Sequence, residues 1–212
     1  MDSRFRGNDD PKMILIIETA TAACSAALVE GEILIDERHE IVGRGHAERL
    51  VPMIGELLAG RRPEAILVDC GPGSFTGLRV GLAAAHGLRI GWEVPLAGFS
   101  SMAAIAGSAG QGSEIAVALH GGHGQLFVQT FGEEKMRPLD LLRSLPPAEA
   151  AAGIRAHRVA GSGAAALVAE RGYGEAVDML PRAADVRLLP AGLRSLAPRP
   201  IYGRGPDARP MP

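Results

Sequence analysis

Three groups of residues in this sequence have types and spacing that chemistry uses. The first is the run Gly71-Pro72-Gly73-Ser74-Phe75-Thr76-Gly77, set between an apolar segment and a helical pattern. A strand that ends in glycines and opens a helix points several backbone N–H groups at one spot, which suits an anion. No Gly-Lys-Ser/Thr follows, so the run is not a P-loop. Its G-x-G-x-x-x-G spacing is one residue too long for the dinucleotide fingerprint. Two readings stay open: a phosphate-binding loop, or a structural turn in which Ser74 caps the helix. The second group is His120 and His123, close across a glycine turn with no acidic neighbour. A tetrahedral site needs three or four ligands, so no metal is expected there. The third is the nucleophiles. Cys24 and Cys70 fall on apolar segments with no base adjacent, and Ser74 is not in a G-x-S-x-G elbow. Structural thiols and no catalytic triad are the expectation.

The elements that must position these residues follow from periodicity. Residues 13–18 are a continuous apolar run, a strand buried on both faces. Segments 24–29 and 33–38 flank Glu30-Gly31-Glu32 as a hairpin. Leu50, Met53, Ile54, Leu57 and Leu58 form one apolar helical stripe. It starts near 46–49, so that Pro52 lies in or near the first turn, and Gly60 sits at the C-cap. Ala65–Cys70 is a further strand, leading through the glycine run into a helix to about Gly91. On that helix Gly77, Gly81, Ala84, Leu88 and Gly91 make a small-residue face, opposite a polar stripe of Arg79, His86 and Arg89. Interior glycines cost about 1 kcal/mol each relative to Ala, so contacts with other elements or another chain must offset them. Strands are expected at 115–119 and 126–131, a helix near 148, a short strand at 157–160 and a helix at 164–171. The division reads as 1–12, a disordered extension; 13–100, a first lobe; 101–193, a smaller second lobe; and 194–212, an extended Pro/Arg-rich tail.

Composition narrows the function classes. Of 212 residues, 47% are apolar and 22% charged, the balance of a globular chain. The net charge of −2 gives no global field for nucleic acid, and 4% aromatics leave few parts for a stacking platform. Two cysteines fit a reducing compartment. No run approaches the ~20 apolar residues of a membrane span, and a cytoplasmic protein is expected.

Three motifs together carry a family resemblance: Ile14–Leu28 (ILIIETATAACSAAL), His46-Ala-Glu-Arg-Leu50 with Pro52, and Gly71–Leu88. Their order and spacing resemble the TsaB family, also called YeaZ, bacterial partners of the transferase TsaD. The resemblance is strong over about 13–100 and weak beyond, apart from the segment starting at Ile201-Tyr202. It implies an α/β, actin-like fold of two lobes with mixed sheets, in the ribonuclease-H-like class. It implies a cytoplasmic, non-catalytic scaffold for making N6-threonylcarbamoyladenosine at position 37 of ANN-decoding tRNAs. The partners implied are TsaD, a second copy when alone, a TsaE-type ATPase within the complex, and tRNA indirectly; no membrane and no cofactor are implied. On this reading the partner interface is His46, Glu48, Arg49, Leu50, Met53 and Ile54 on one helix, with Arg79, Leu82, His86 and Arg89 on the other. Glu18, Gly71, Gly73, Ser74 and Thr76 are then a vestigial phosphate loop. Glu18 stands where the family's first strand usually ends in Asp, the acid that helps position Mg²⁺ in actin-like ATPases. A second departure is His120-Gly-Gly-His-Gly in place of an Asp-Ala-Arg-Arg-like hairpin start, and the second lobe is short. The alternatives are a small actin-fold enzyme binding ATP at Gly71–Thr76, and a homodimeric structural protein.

Overall fold

The computed structural model describes residues 13–110 and 113–203. The proposed extension 1–12, and the part of the tail beyond 203, lie outside them. The first sheet holds β1 (Ile14–Glu18), β2 (Ala23–Glu30), β3 (Ile33–Ile41), β4 (Ala65–Asp69) and β5 (Leu96–Phe99) in the order β3-β2-β1-β4-β5. β1 runs antiparallel to β2 and parallel to β4. The second sheet holds β6 (Ile115–His120), β7 (Leu126–Phe131), β8 (Arg143–Leu145), β9 (Arg158–Ala160) and β10 (Glu175–Val177) in the order β10-β9-β6-β7-β8. Five helices complete the layers: α1 (His46–Leu58), α2 (Phe75–Trp92), α3 (Ser101–Ala109), α4 (Pro147–Gly153) and α5 (Ala164–Arg171). This is the mixed α/β, actin-like architecture that the motifs imply.

Strand alternation builds the layers, because successive side chains point to opposite faces. In β1, Leu15 and Ile17 pack with Leu50, Met53 and Leu57 of α1 and with Leu82 of α2. Ile14 and Ile16 face the other way, toward Met102 and Ile105 of α3. Ile115, Val117 and Leu119 of β6 join that central core, while Ala116 and Ala118 face α4 and α5. The order across the molecule is therefore α1/α2, first sheet, α3, second sheet, α4/α5.

Four local expectations need correction. The helix α1 begins at His46, so Pro52 lies in its second turn. The missing N–H falls on an exposed face, where water can serve the Glu48 carbonyl. The C-cap is Ala59 with φ of 47°, one residue before Gly60. The strands β5, β8 and β10 are not anticipated by periodicity, being only three or four residues long. Finally, much of 181–201 is pinned to the first lobe rather than belonging to a second lobe and a free tail. Arg182 pairs with Glu37 at 2.6 Å, and the Ala183 N–H donates to Ser25 Oγ at 3.0 Å. Gly98 and Leu196 exchange two backbone bonds, and Ile201 N–H donates to the Cys70 carbonyl at 2.7 Å.

Candidate functional site

The C-terminal ends of β1 and β4 are neighbours, so the turn 19–22 and the glycine run 71–77 emerge side by side. The Ser74 N–H donates to the Ala20 carbonyl at 2.6 Å, and Ser74 Oγ accepts the Gly77 N–H at 3.2 Å, capping α2. A Cβ on Gly73 would strike the Ala20 carbonyl, and one on Gly77 the Thr19 carbonyl. Thr19 also donates its hydroxyl to the Gly77 carbonyl at 2.9 Å. The glycines let helix α2 press its first turns onto the β1–β2 turn. Their N–H groups at 71 and 77, with that of Ser74, are already bonded within the chain.

Beneath this loop lie two fully buried carboxyls, Glu18 and Asp69. Glu18 Oε1 accepts the Ala20 N–H at 2.7 Å, and Asp69 Oδ1 accepts the Gly71 N–H at 3.0 Å. Their other oxygens, Glu18 Oε2 and Asp69 Oδ2, meet no N–H or hydroxyl donor. Burial first, and then the Asp69 carboxyl, raise the pKa of Glu18 well above the ordinary carboxylate value. Burial pushes Asp69 up to about 7. Burial and the neighbouring carboxyl both favour a protonated form, as like charges at close range do not both ionise. Sealed under the loop, Glu18 has no exposed oxygen to offer a hydrated Mg²⁺.

The candidate interface residues divide by burial. His46, Leu50, Met53, Ile54 and Leu82 are buried in the chain's own core, which corrects their expected exposure. His46 Nε2 sits 3.0 Å from the Ala23 carbonyl, tying the start of α1 to β2. Arg49 is held by Glu40 at 2.6 and 2.7 Å and by Glu56 at 2.9 Å, and His86 meets the Pro198 carbonyl at 3.2 Å. Glu48, Arg79 and Arg89 remain exposed. The uncovered faces of the same two helices carry Val51, Pro52 and Gly55 on α1, and Ala83, Gly87, Ile90 and Gly91 on α2. Val51 is 63% and Ile90 76% exposed. A Cβ at Gly55, Gly87 or Gly91 would meet nothing. Sequence spacing reveals the stripe, but not which side of it faces the sheet.

A cleft of about 1140 Å³ opens where the turn 19–22 and the start of α2 face the second sheet. Thr21, Arg44, Ser74, Phe75, Arg79, His120, Ser162 and Tyr202 are among its lining residues. Sequence reasoning misses Arg44, Phe75 and Tyr202 as site residues; an aromatic in a Pro/Arg-rich segment is the available signal for Tyr202. No group of three or more His, Cys, Asp or Glu among the described residues could hold a metal ion. Burial raises the Cys24 thiol to about 11 and the Cys70 thiol to about 12, so neither is a ready nucleophile. No helix among the described residues is long and apolar enough to cross a membrane.

Comparison with known proteins adds a lineage. Residues 38–141 match the family model described as TsaD, tRNA N6-adenosine threonylcarbamoyltransferase. The chain is 38% identical over 98 residues to the tRNA threonylcarbamoyladenosine biosynthesis protein TsaB of Escherichia coli, spanning 44% of this chain and 42% of that one. It is 34% identical over 133 residues to the TsaB of Haemophilus influenzae, spanning 58% and 56%. The alignments thus span about half the length of these curated TsaB relatives. An uncharacterized protein of Mycobacterium tuberculosis is 34% identical over 93% of this chain and 94% of its own length. The solved structure of YeaZ from Pseudomonas aeruginosa superposes with a TM-score of 0.76 at 28% identity, covering 90% of this chain and 99% of that one. A second Pseudomonas aeruginosa structure, of a protein with similarity to peptidase YEAZ, gives 0.78 at 28% identity, covering 91% and 100%.

Proposed function

The chain belongs to the TsaB/YeaZ family, and on that premise we propose that it is a non-catalytic subunit in tRNA threonylcarbamoyladenosine formation. Its partner is a TsaD-type transferase, with a TsaE-type ATPase in the same assembly and tRNA engaged through the complex. The observation that carries this is the uncovered face of α1 and α2. Gly55, Gly87 and Gly91 weaken their helices by about 1 kcal/mol each, and a Cβ at any of them would meet nothing in the chain. That loss is offset only when another backbone comes close. Exposed Val51 and Ile90 beside them supply apolar area for the contact. A related two-lobe chain offering an equivalent helix pair would complete a four-helix contact, and a second copy would do so isologously.

Catalysis by this chain itself lacks support in the geometry. The glycine loop commits its N–H groups at 71, 74 and 77 to Asp69, Ala20 and Ser74, and Glu18 is sealed away from a cation. Mg²⁺-ATP should therefore bind the isolated chain no tighter than about 10 μM.

The test is Ala83→Asp combined with Ile90→Asp, both on exposed positions. Wild type should form a 1:1 complex with the transferase by light scattering, and the double variant should fold normally yet fail to form it. An unaltered complex would remove this face from the proposal. Tight Mg²⁺-ATP binding by calorimetry would restore the enzyme alternative.

A further inference from the structure

The cleft between the β1–β2 turn and the second sheet has a lining unlike the rest of the molecule. The chain carries 24 acidic residues and a net charge of −2, yet among the described residues no Asp or Glu lines this cleft, while Arg44, Arg79 and His120 do. Arg44 and Arg79 are exposed and have no carboxylate partner among the described residues. The chain has only five Phe, two Tyr and one Trp. Three of those eight aromatic residues, Phe75, Phe127 and Tyr202, line this one space. Phe75 and Tyr202 are 55% and 57% exposed, with ring centroids 6.2 Å apart. The Arg79 guanidinium lies 3.6 Å from the Phe75 ring centroid, leaving its N–H edges free to reach an anion.

We propose that this cleft binds single-stranded nucleic acid through nucleotide units, with bases stacked on Phe75 and Tyr202 and backbone phosphates met by Arg44 and Arg79. Planar stacking surface beside unpaired cations is the combination such strands require. An acidic peptide would use the arginines but not the exposed ring pair. A nucleoside polyphosphate would need a cradle of backbone N–H groups, and the glycine loop has committed those at 71, 74 and 77. The volume also exceeds the ~300–1,000 Å³ usual for a small-molecule pocket. The chain's own residues 204–212 carry two Arg and one Asp, a poor match to a cationic lining. The global charge gives no hint of this, since the cations matter only where the fold gathers them. The inference does not depend on the partner proposal, and either can fail alone.

The test is fluorescence anisotropy of the full chain with a labelled RNA of about twelve nucleotides, within the site sizes of single-strand binders. Adenosine monophosphate serves as competitor, to separate a strand from a free nucleotide. Saturable binding is expected, with log Kd changing with log salt at a slope of about 1.4 in magnitude for two phosphates. Arg44→Ala with Arg79→Ala should weaken binding at least about tenfold and flatten that slope, which a merely structural loss would not do. Tyr202→Ala should weaken it at least about fivefold. Arg44→Glu alone, on an exposed turn, guards against misfolding of the double variant. Monophosphate competing as well as RNA would overturn the strand and assign the same chemistry to a free nucleotide. Absence of binding to either probe, or binding indifferent to these variants, would overturn the proposal.

Discussion

Replacing Glu18 with Gln tests whether one proton is shared beneath the glycine loop. In the folded chain burial and Asp69 raise Glu18 well above its ordinary value of 4.5. The native pair therefore keeps a proton that the unfolded chain releases as pH rises past about 4.5. A raised carboxyl works in the opposite sense to a salt-bridged one: its contribution is whole below the unfolded value and is lost as pH climbs. Each extra proton held by the native state lowers stability by about 1.4 kcal/mol per pH unit, and Asp69, raised in both proteins, leaves the Glu18 proton as the difference between them. The glutamine side chain has the same shape. Its oxygen can accept the Ala20 N–H, and its amide can donate to Asp69 Oδ2, which in wild type has no donor. The variant therefore needs no shared proton. Urea unfolding at a series of pH values should show the Glu18→Gln variant gaining on wild type as pH rises above about 4.5, by up to about 1.4 kcal/mol per pH unit. Asp36, Glu40 and Glu56 are lowered by hydrogen bonds to Arg38 or Arg49 and favour the opposite trend. They are present in both proteins and cancel in the difference. Parallel pH profiles for the two proteins would refute the shared proton.

Glycine substitutions should separate close packing from open surface. Gly77→Ala places a methyl against the Thr19 carbonyl and should destabilise by at least about 1–3 kcal/mol in the same unfolding assay. Gly87→Ala meets nothing and should stabilise the isolated chain by up to about 1 kcal/mol. Leu82→Asp, which puts a carboxylate into the core, should abolish the cooperative melt rather than yield a folded chain deficient only in binding. Deleting residues 1–12 should leave the melting temperature unchanged, because the first buried strand begins at Ile14; a drop of several degrees would give those residues a part in the fold.

The first sheet is legible in the sequence because its signals are long and redundant. Residues 14–17 and 65–68 are continuous apolar runs, as strands covered on both faces must be. The strands β5, β8 and β10 give no such signal, since three or four residues hold barely one alternation. Periodicity locates α1 and α2 as helices, but five of the ten residues expected at an interface, His46, Leu50, Met53, Ile54 and Leu82, are buried against the chain's own core. Leu50, Met53, Ile54, Leu57 and Leu58 form the apolar stripe of α1, and a helix lying on a sheet turns that stripe inward. The side left uncovered is the weaker pattern of Val51, Gly55, Ala83, Gly87 and Ile90, which polarity alone does not distinguish from solvated surface. Arg44 and Tyr202 are far apart in sequence and meet only through the fold, so no local pattern could join them to Phe75 and Arg79.

The glycine run shows why a motif shared with a transferase family does not carry the transferase's chemistry with it. Residues 38–141 match that family model, and the run lies within them. In this chain the run solves a packing problem. A helix that starts directly from β4 must cross the β1–β2 turn at backbone contact, and only glycine at 73 and 77 leaves room for the Ala20 and Thr19 carbonyls. That constraint acts on any chain with this topology, whether or not a phosphate is bound. What would distinguish an anion site is free N–H donors and an accessible acid for a cation. Here the donors at 71, 74 and 77 are bonded and both acids are buried beneath the loop. The glycines are explained by the architecture alone, and the functional surfaces must be sought where the fold leaves groups unpaired. Those places are the open glycine face of α1 and α2, and the arginine-lined cleft.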